Sequence, residues 1–333
     1  VSDAKTGTMR ALVHDRFGEP GEVLAVAERP LPQPGPGEVR VRMVLSPIHN
    51  HDLWTVRGTY GVKPELPALS GTEALGVVDA VGDGVDNLAV GQRVVTGGTF
   101  GVWAEYFVAR AAGLVPVPAE LPDESAAQLV AMPFSAVSLL ESLDLDEGDW
   151  LIQNAANGAV GRMVAQLGAA RGLNVVGLVR RAAGVEELRA QGIERVIATD
   201  DDGWRDELAA ITGGAPLRAG VDSVGGTAAG DILSTLAVNG TLVVFGSMGS
   251  STLELSAGDV IFKQATVKGF WGNVVSREMP ADVRGRLFQE LFTRLGDGTL
   301  TLPVAGTYSL DDIAEAVAAN GEAGRVGKVL LRP

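Results

Sequence analysis

The chain has no cysteine, only three histidines and three tyrosines, and 27 basic residues against 41 acidic ones in 333 positions. Without cysteine there can be no disulfide framework, no thiolate nucleophile and no zinc site built on thiolates. A net charge of -14, with no cluster of Lys and Arg, excludes a nucleic-acid footprint and an affinity for anionic membrane surfaces. No charge-free apolar run reaches the roughly 18 residues of a membrane-spanning helix. The opening VSDAKTGTMR has neither the apolar core of a secretory signal nor an Arg-rich presequence. Residues 1–8 are therefore expected to be a flexible lead-in, and the protein to be cytoplasmic. Glycine, by contrast, is plentiful at 44 residues and follows no collagen period, which points to turns and close backbone approaches.

To about residue 130 the sequence reads as strand-rich. Short β-branched runs such as VRVRMVLS (39–46) and ALGVVDAVG (74–82) are punctuated by clusters such as LPQPGPGE (31–38). Near residue 135 apolar strands begin to alternate with helical patterns. WLIQNA (150–155), NVVGLVR (174–180), RVIAT (195–199), GVDSVG (220–225), TLVVFG (241–246) and TVKGF (266–270) read as strands. Helices are predicted over 159–172 and near 184–191. This alternation predicts an α/β fold with a doubly wound parallel sheet. In the tail, helices are predicted around 280–296 and 310–320, and GKVLLRP closes as a strand that returns to the first domain. The expected domains are 1–132 with 275–333, and 133–274.

The first strand of the second domain runs into Asn154-Ala155-Ala156-Asn157-Gly158-Ala159-Val160-Gly161. A Gly-rich turn between a strand and a helix lets the backbone approach a pyrophosphate and directs free N–H groups and the positive helix end at it. The alternative is a strand-to-helix connection that binds nothing. A sheet of this kind that binds NAD commonly ends its second strand in a carboxylate for the ribose 2′-OH. Here Arg180 and Arg181 stand there, suited to a 2′-phosphate and so to NADPH. As a plainer alternative, both arginines could be a solvated helix start.

In this order, these residues resemble the medium-chain dehydrogenase/reductase superfamily, from GTEALGVVDAVGDGV (71–85) and GQRVV (91–95) to VDSVGG (221–226) and GRVGKVLL (324–331). GTYGVKPELPALSGTEALG (58–76), LIQNAANGAVG (151–161), FGSMG (245–249) and IFKQATVKGFW (261–271) resemble its mitochondrial-type 2-enoyl thioester reductases, while quinone oxidoreductases share much of the frame. The resemblance implies a GroES-like substrate domain with an inserted Rossmann domain, the nicotinamide in the cleft between them, and a homodimer joined along the Rossmann sheet edge. It extends the cofactor site to Ser135, Phe245, Gly246 and Phe270. Lys328 either reaches the cofactor or is a surface charge.

Zinc-dependent relatives place a cysteine ligand where alignment on Asp52 puts His49, and a histidine ligand where this chain has Thr72. A catalytic zinc needs three protein ligands. On an extended segment His51 would share the face of His49, and Glu73 could approach, but the imidazole position is a threonine, so no metal is expected. Otherwise, His49 would be a hydrogen-bonded residue facing substrate, and His51 a partly exposed residue before a helix capped by Asp52. His14 is expected at the surface. Enoyl reductases commonly carry Asn-Pro at His49-Asn50.

Reducing an α,β-unsaturated thioester needs a hydride at the β-carbon, a stabilised enolate oxygen and a proton at the α-carbon. By resemblance, Tyr60 is the catalytic tyrosine and Trp271 an aromatic wall beside the nicotinamide. Taken alone, Tyr60 reads as a loop packing residue and Trp271 as a core tryptophan. The favoured reading is an NADPH-dependent reductase of activated C=C bonds acting on small molecules, with 2-enoyl thioesters as the best substrate. Its alternatives are a quinone or enone reductase, a zinc alcohol dehydrogenase using His49, and an NADPH-binding regulatory protein without turnover.

Overall fold

A computed structural model describes residues 7–322 and 324–333. Of the lead-in expected over 1–8, positions 1–6 lie outside the described residues, and Thr8 already opens a strand. The chain divides into a unit of Val1–Ala131 with Thr301–Pro333, and a unit of Met132–Leu300.

In the first unit the elements are β1 (Thr8–His14), α1 (Pro20–Val23), β2 (Ala25–Pro30), β3 (Glu38–Pro47), α2 (Asn50–Arg57), β4 (Ala68–Leu69), β5 (Ala74–Val81), β6 (Arg93–Thr96), β7 (Tyr106–Arg110), β8 (Val115–Pro116) and α3 (Asp123–Ala127). The second unit runs α4 (Met132–Ser142), β9 (Trp150–Gln153), α5 (Ala159–Ala170), β10 (Asn174–Val179), α6 (Ala182–Arg189), β11 (Val196–Ala198), α7 (Trp204–Thr212), β12 (Leu217–Asp222), α8 (Thr227–Thr235), β13 (Thr241–Val244), α9 (Ala257–Phe262), β14 (Thr266–Gly269), α10 (Gly272–Glu278) and α11 (Ala281–Gly296). The chain then returns to the first unit through β15 (Val304–Ser309), α12 (Ile313–Asn320) and β16 (Lys328–Arg332).

β16 does return to the first unit. It lies antiparallel to β3, pairing Leu331 with Ser46 and Leu330 with Pro47, in a sheet ordered β15-β16-β3-β5-β6-β8, with β7 also paired to β3. This strand brings Lys328 beside the start of α2. The alternating inward residues Val39, Val41 and Met43 of β3 join Leu12, Trp103, Val329 and Leu331 in one buried cluster, the pattern of a half-buried antiparallel strand.

In the second unit the sheet is ordered β11-β10-β9-β12-β13-β14, all parallel. This is the doubly wound order in which the strand order reverses between β9 and β12, and ligands bind beyond the carboxyl ends of strands at that switch point. The Gly-rich turn follows β9 there.

One boundary differs from expectation. Residues 275–300 pack on the second unit, not the first. Phe288 of α11 stacks on Phe134 of α4 with centroids 4.4 Å apart, and Arg171 pairs with Glu290 at 2.7 Å. The apolar face of α11 is matched to α4, and sequence periodicity alone does not reveal which partner such a face will find. Among the described residues, no helix is long and apolar enough to cross a membrane.

Candidate active site

The first unit collects a polar cluster around the start of α2. The helix begins at Asn50 with His49 as its N-cap residue, not at Asp52 as expected. Asp52 sits one turn in, and its Oδ2 accepts the backbone N–H of His49 at 3.0 Å, the reciprocal half of a capping box. At the other end Gly58 closes the helix at φ +75. A Cβ there would meet the Phe17 ring at 2.8 Å, so both the left-handed turn and the close packing require glycine. The next two amides bond back to the Trp54 carbonyl, which fixes where Tyr60 leaves the helix.

His49 is buried, and both its ring nitrogens are engaged. Nε2 lies 2.5 Å from Oε2 of buried Glu73, and Nδ1 lies 3.1 Å from Lys328 Nζ. The other oxygen of Glu73 accepts the backbone N–H groups of Val130 and Ala131 at 2.6 and 2.8 Å. An ammonium can only donate, so Nδ1 accepts from Lys328, and Nε2 carries the proton given to the carboxylate. Burial, and next the Lys328 charge, hold His49 well below the usual imidazole range, hence neutral. Burial pushes Glu73 up to about 7 against the pull of the Ala131 and Val130 amides. Burial brings Lys328 down to about 8, opposed by the charge of Glu73. Lys328, left open as a surface charge or a cofactor contact, is part-buried and is the cation of this cluster.

His51 lies over His49, with rings 5.0 Å apart and 12° from parallel, and its Nε2 is 2.8 Å from Thr72 Oγ1. The Thr72 hydroxyl donates to Asp52 Oδ1 at 2.7 Å. Tyr60, half-buried, sits with its ring centroid 5.9 Å from that of His51. Its phenol is pushed up by burial and then by the Asp52 charge, so it keeps its proton.

These residues do not suit a zinc ion. Neither nitrogen of His49 is free, the lysine ammonium stands beside it, and Thr72 is tied to Asp52 and His51. Among the described residues, no three His, Cys, Asp or Glu side chains are arranged to hold a metal. His14, expected at the surface, is buried and bonds Ser70 through Nδ1 at 3.1 Å. Its strand β1 is central in the sheet β2-β1-β4, a placement that the short tract around it does not signal.

In the second unit Gly158 is the N-cap of α5 and Ala155 turns the chain at φ +48. A Cβ on Gly161 would lie 2.7 Å from the Ala155 carbonyl oxygen and 2.8 Å from Ala156 Cα and O. All of these are backbone atoms, so only glycine lets the helix start this close to the turn. Together with Ala159 and Val160, whose amides open the helix, this arrangement suits a bound pyrophosphate. The side chain of Asn154 also braces the sheet. Its amide donates to Asp222 Oδ1 at 2.5 Å and accepts from Ser223 N at 2.7 Å, fastening the end of β9 to that of β12. Arg180 and Arg181 are exposed just past β10. Phe245 and Phe270, beyond β13 and β14, stack at 5.6 Å, next to Gly246. Ser135 on α4 lies where a Cβ on Gly272 would meet its Oγ at 2.9 Å. Trp271 is 64% exposed, which excludes the core reading.

Sequence reasoning missed the joining of Lys328 to His49 and of His51 to Thr72. The only available signal was that His49 and Thr72 stand at alignment positions otherwise given to metal ligands, with Glu73 next to the second.

Comparison with known proteins gives the same frame. The family described as "Alcohol dehydrogenase GroES-like domain" matches residues 35–119, and that described as "Zinc-binding dehydrogenase" matches 159–287. The human protein named "Enoyl-[acyl-carrier-protein] reductase, mitochondrial" is 32% identical over 96% of this chain and 87% of its own. The crystal structure of a putative NADPH:quinone reductase from Bacillus thuringiensis superposes with a TM-score of 0.89, at 29% identity, over 98% of this chain and 99% of that one. A mycobacterial protein solved with NADPH superposes with a TM-score of 0.83 at 29% identity, over 98% of this chain and 100% of that chain.

Proposed function

The chain belongs to the medium-chain dehydrogenase/reductase superfamily, and we propose that it is a reductase of activated C=C bonds that draws on NADPH and acts on 2-enoyl thioesters without a metal. It is an oxidoreductase. NADPH supplies the hydride. In the proposed site the turn from Ala155 to Gly161 holds the pyrophosphate, and Arg180 and Arg181 pair with the 2′-phosphate. Phe245, Gly246, Phe270 and Ser135 line the nicotinamide side. The Tyr60 phenol donates to the thioester oxygen as charge develops there, an effect worth most where water is excluded.

The observation that carries the metal-free reading is the double engagement of His49 by Glu73 and Lys328. A site whose metal position is already satisfied internally must polarise its carbonyl with hydrogen-bond donors. Activity on quinones or enones is the second reading, supported by the likeness to the Bacillus thuringiensis protein.

We also assign a homodimer formed along β14. Every residue of that edge strand is exposed, and Phe262 beside it is 82% exposed. An open strand edge beside an exposed aromatic side chain invites pairing with a second copy. NADPH oxidation measured with crotonyl thioester, a simple quinone and an alkyl enone tests the substrate reading. The thioester is expected to give the highest kcat/KM, and preference for quinone would replace it.

A further inference from the structure

Reduction of a C=C bond ends with a proton on carbon, and the reading above leaves its source unassigned. Tyr60 suits the oxygen better than the carbon: a phenol raised by burial keeps its O–H for hydrogen bonding and gives the proton up reluctantly. An acid whose pKa lies near the working pH transfers protons best.

We propose that His51 is the proton donor of this site, its imidazole aimed by a relay through Thr72 to Asp52. The inference rests on the reductase reading and deepens it. The hydrogen bonds fix the tautomer. The single Thr72 proton goes to Asp52 Oδ1 at 2.7 Å, so Thr72 Oγ1 must accept from His51 Nε2 at 2.8 Å. Nε2 therefore always carries hydrogen, and Nδ1 is the nitrogen left to take up and release a proton. Asp52 Oδ1, the atom that takes the Thr72 proton, also lies 3.6 Å from His51 Nε2, so the acceptors gather on that side of the ring. Asp52 is itself held by the His49 amide. The side chain of His51 is 24% exposed, which keeps a path open for reprotonation.

The groups around the ring are few. Asp52 and Thr72 lie at Nε2, the neutral His49 ring is stacked with it, and the Tyr60 ring is next to it. The charges of Glu73 and Lys328 lie beyond His49.

The step balances simply. With hydride on the β-carbon, the former π pair is delocalised as an enolate. The Nδ1–H bond of the imidazolium breaks and its electron pair stays on nitrogen. A C–H bond forms at the α-carbon, and the thioester C=O is restored as His51 becomes neutral. Solvent then returns the proton to Nδ1.

The test has two arms. Nitrogen-15 NMR of the imidazoles reads the tautomer without any substrate, in a chain with only three histidines. Neutral His51 is expected as the Nε2–H form, with Thr72→Val losing that bias and Thr72→Ser keeping it. An Nδ1–H form would overturn the proposal. In the kinetic arm, His51→Gln should lower kcat by about 10²–10⁴-fold with the NADPH Kd unchanged. It should also abolish the fall in rate with rising pH. Thr72→Val should lower kcat and move the pH profile, and Thr72→Ser should restore both. His51→Gln within threefold of wild type, with the same profile, would overturn His51 alone. A wild-type protein that binds NADPH yet reduces no thioester, quinone or enone would overturn the reductase reading and the catalytic role together.

Discussion

Replacing Glu73 with Gln tests the buried cluster most severely. The carboxylate now receives three N–H groups: His49 Nε2 at 2.5 Å, Val130 N and Ala131 N. A glutamine oxygen can keep the two backbone donors, but its amide then points hydrogen at His49 Nε2. His49 must take the opposite tautomer, and its Nδ1–H faces the Lys328 ammonium across 3.1 Å. Lys328 is left a part-buried cation without its counter-charge. Breaking a buried pair from one side costs about 3–5 kcal/mol, and Lys328→Met, which strands the carboxylate, should cost a similar amount. In the double variant Glu73→Gln/Lys328→Met both charges are gone, and only a hydrogen bond of about 1–2 kcal/mol remains unmet. A urea-denaturation cycle at pH 7.5 should therefore show a coupling of about 4 kcal/mol or more, above the usual range for contacting residues. The cost of Glu73→Gln should also shrink by pH 9.5. Burial already brings Lys328 to about 8, and losing Glu73, which raises it, brings it lower still. Additive single costs, equal at both pH values, would refute this account of the cluster.

Other outcomes follow from the same geometry. Between pH 4.5 and about 7 the folded state holds the Glu73 proton that the unfolded chain releases, so stability should fall by roughly 3 kcal/mol as pH rises through that window. Between about 8 and 10.5 the unfolded chain binds the Lys328 proton more tightly than the folded one, so stability should recover with rising pH, leaving a minimum between, visible in urea midpoints. Arg180→Ala with Arg181→Ala should raise the KM for NADPH at least tenfold more than that for NADH; equal effects would remove the 2′-phosphate assignment. Gly161→Ala, whose Cβ would press on backbone at 2.7 Å, should cost about 1–3 kcal/mol and weaken NADPH binding at least tenfold by titration.

The sheet of the second unit was legible because its strands are short apolar runs set between helical periods, and a parallel order follows from that alternation. The Gly-rich turn was legible because glycine at Gly158 and Gly161 answers a local backbone demand. Contacts between distant positions were not. His49 and Lys328 are 279 residues apart, and only the return of β16 against β3 joins them. The burial of His14 depends likewise on β1 being covered by strands on both sides, and the placement of α11 on α4 is a choice between two apolar faces. For Asp52, local chemistry misled: a carboxylate beside a helix start reads as its cap, whereas here it reaches back one turn from inside the helix.

The central claim is that this chain saturates a C=C bond with NADPH and no metal. Its most direct test is the conversion of crotonyl thioester by protein dialysed against a chelator, with the product identified by mass spectrometry. Stoichiometric butyryl thioester, at a rate unchanged by chelation or by added zinc, is the predicted result. No saturated product, or activity lost on chelation and restored by zinc, would contradict it.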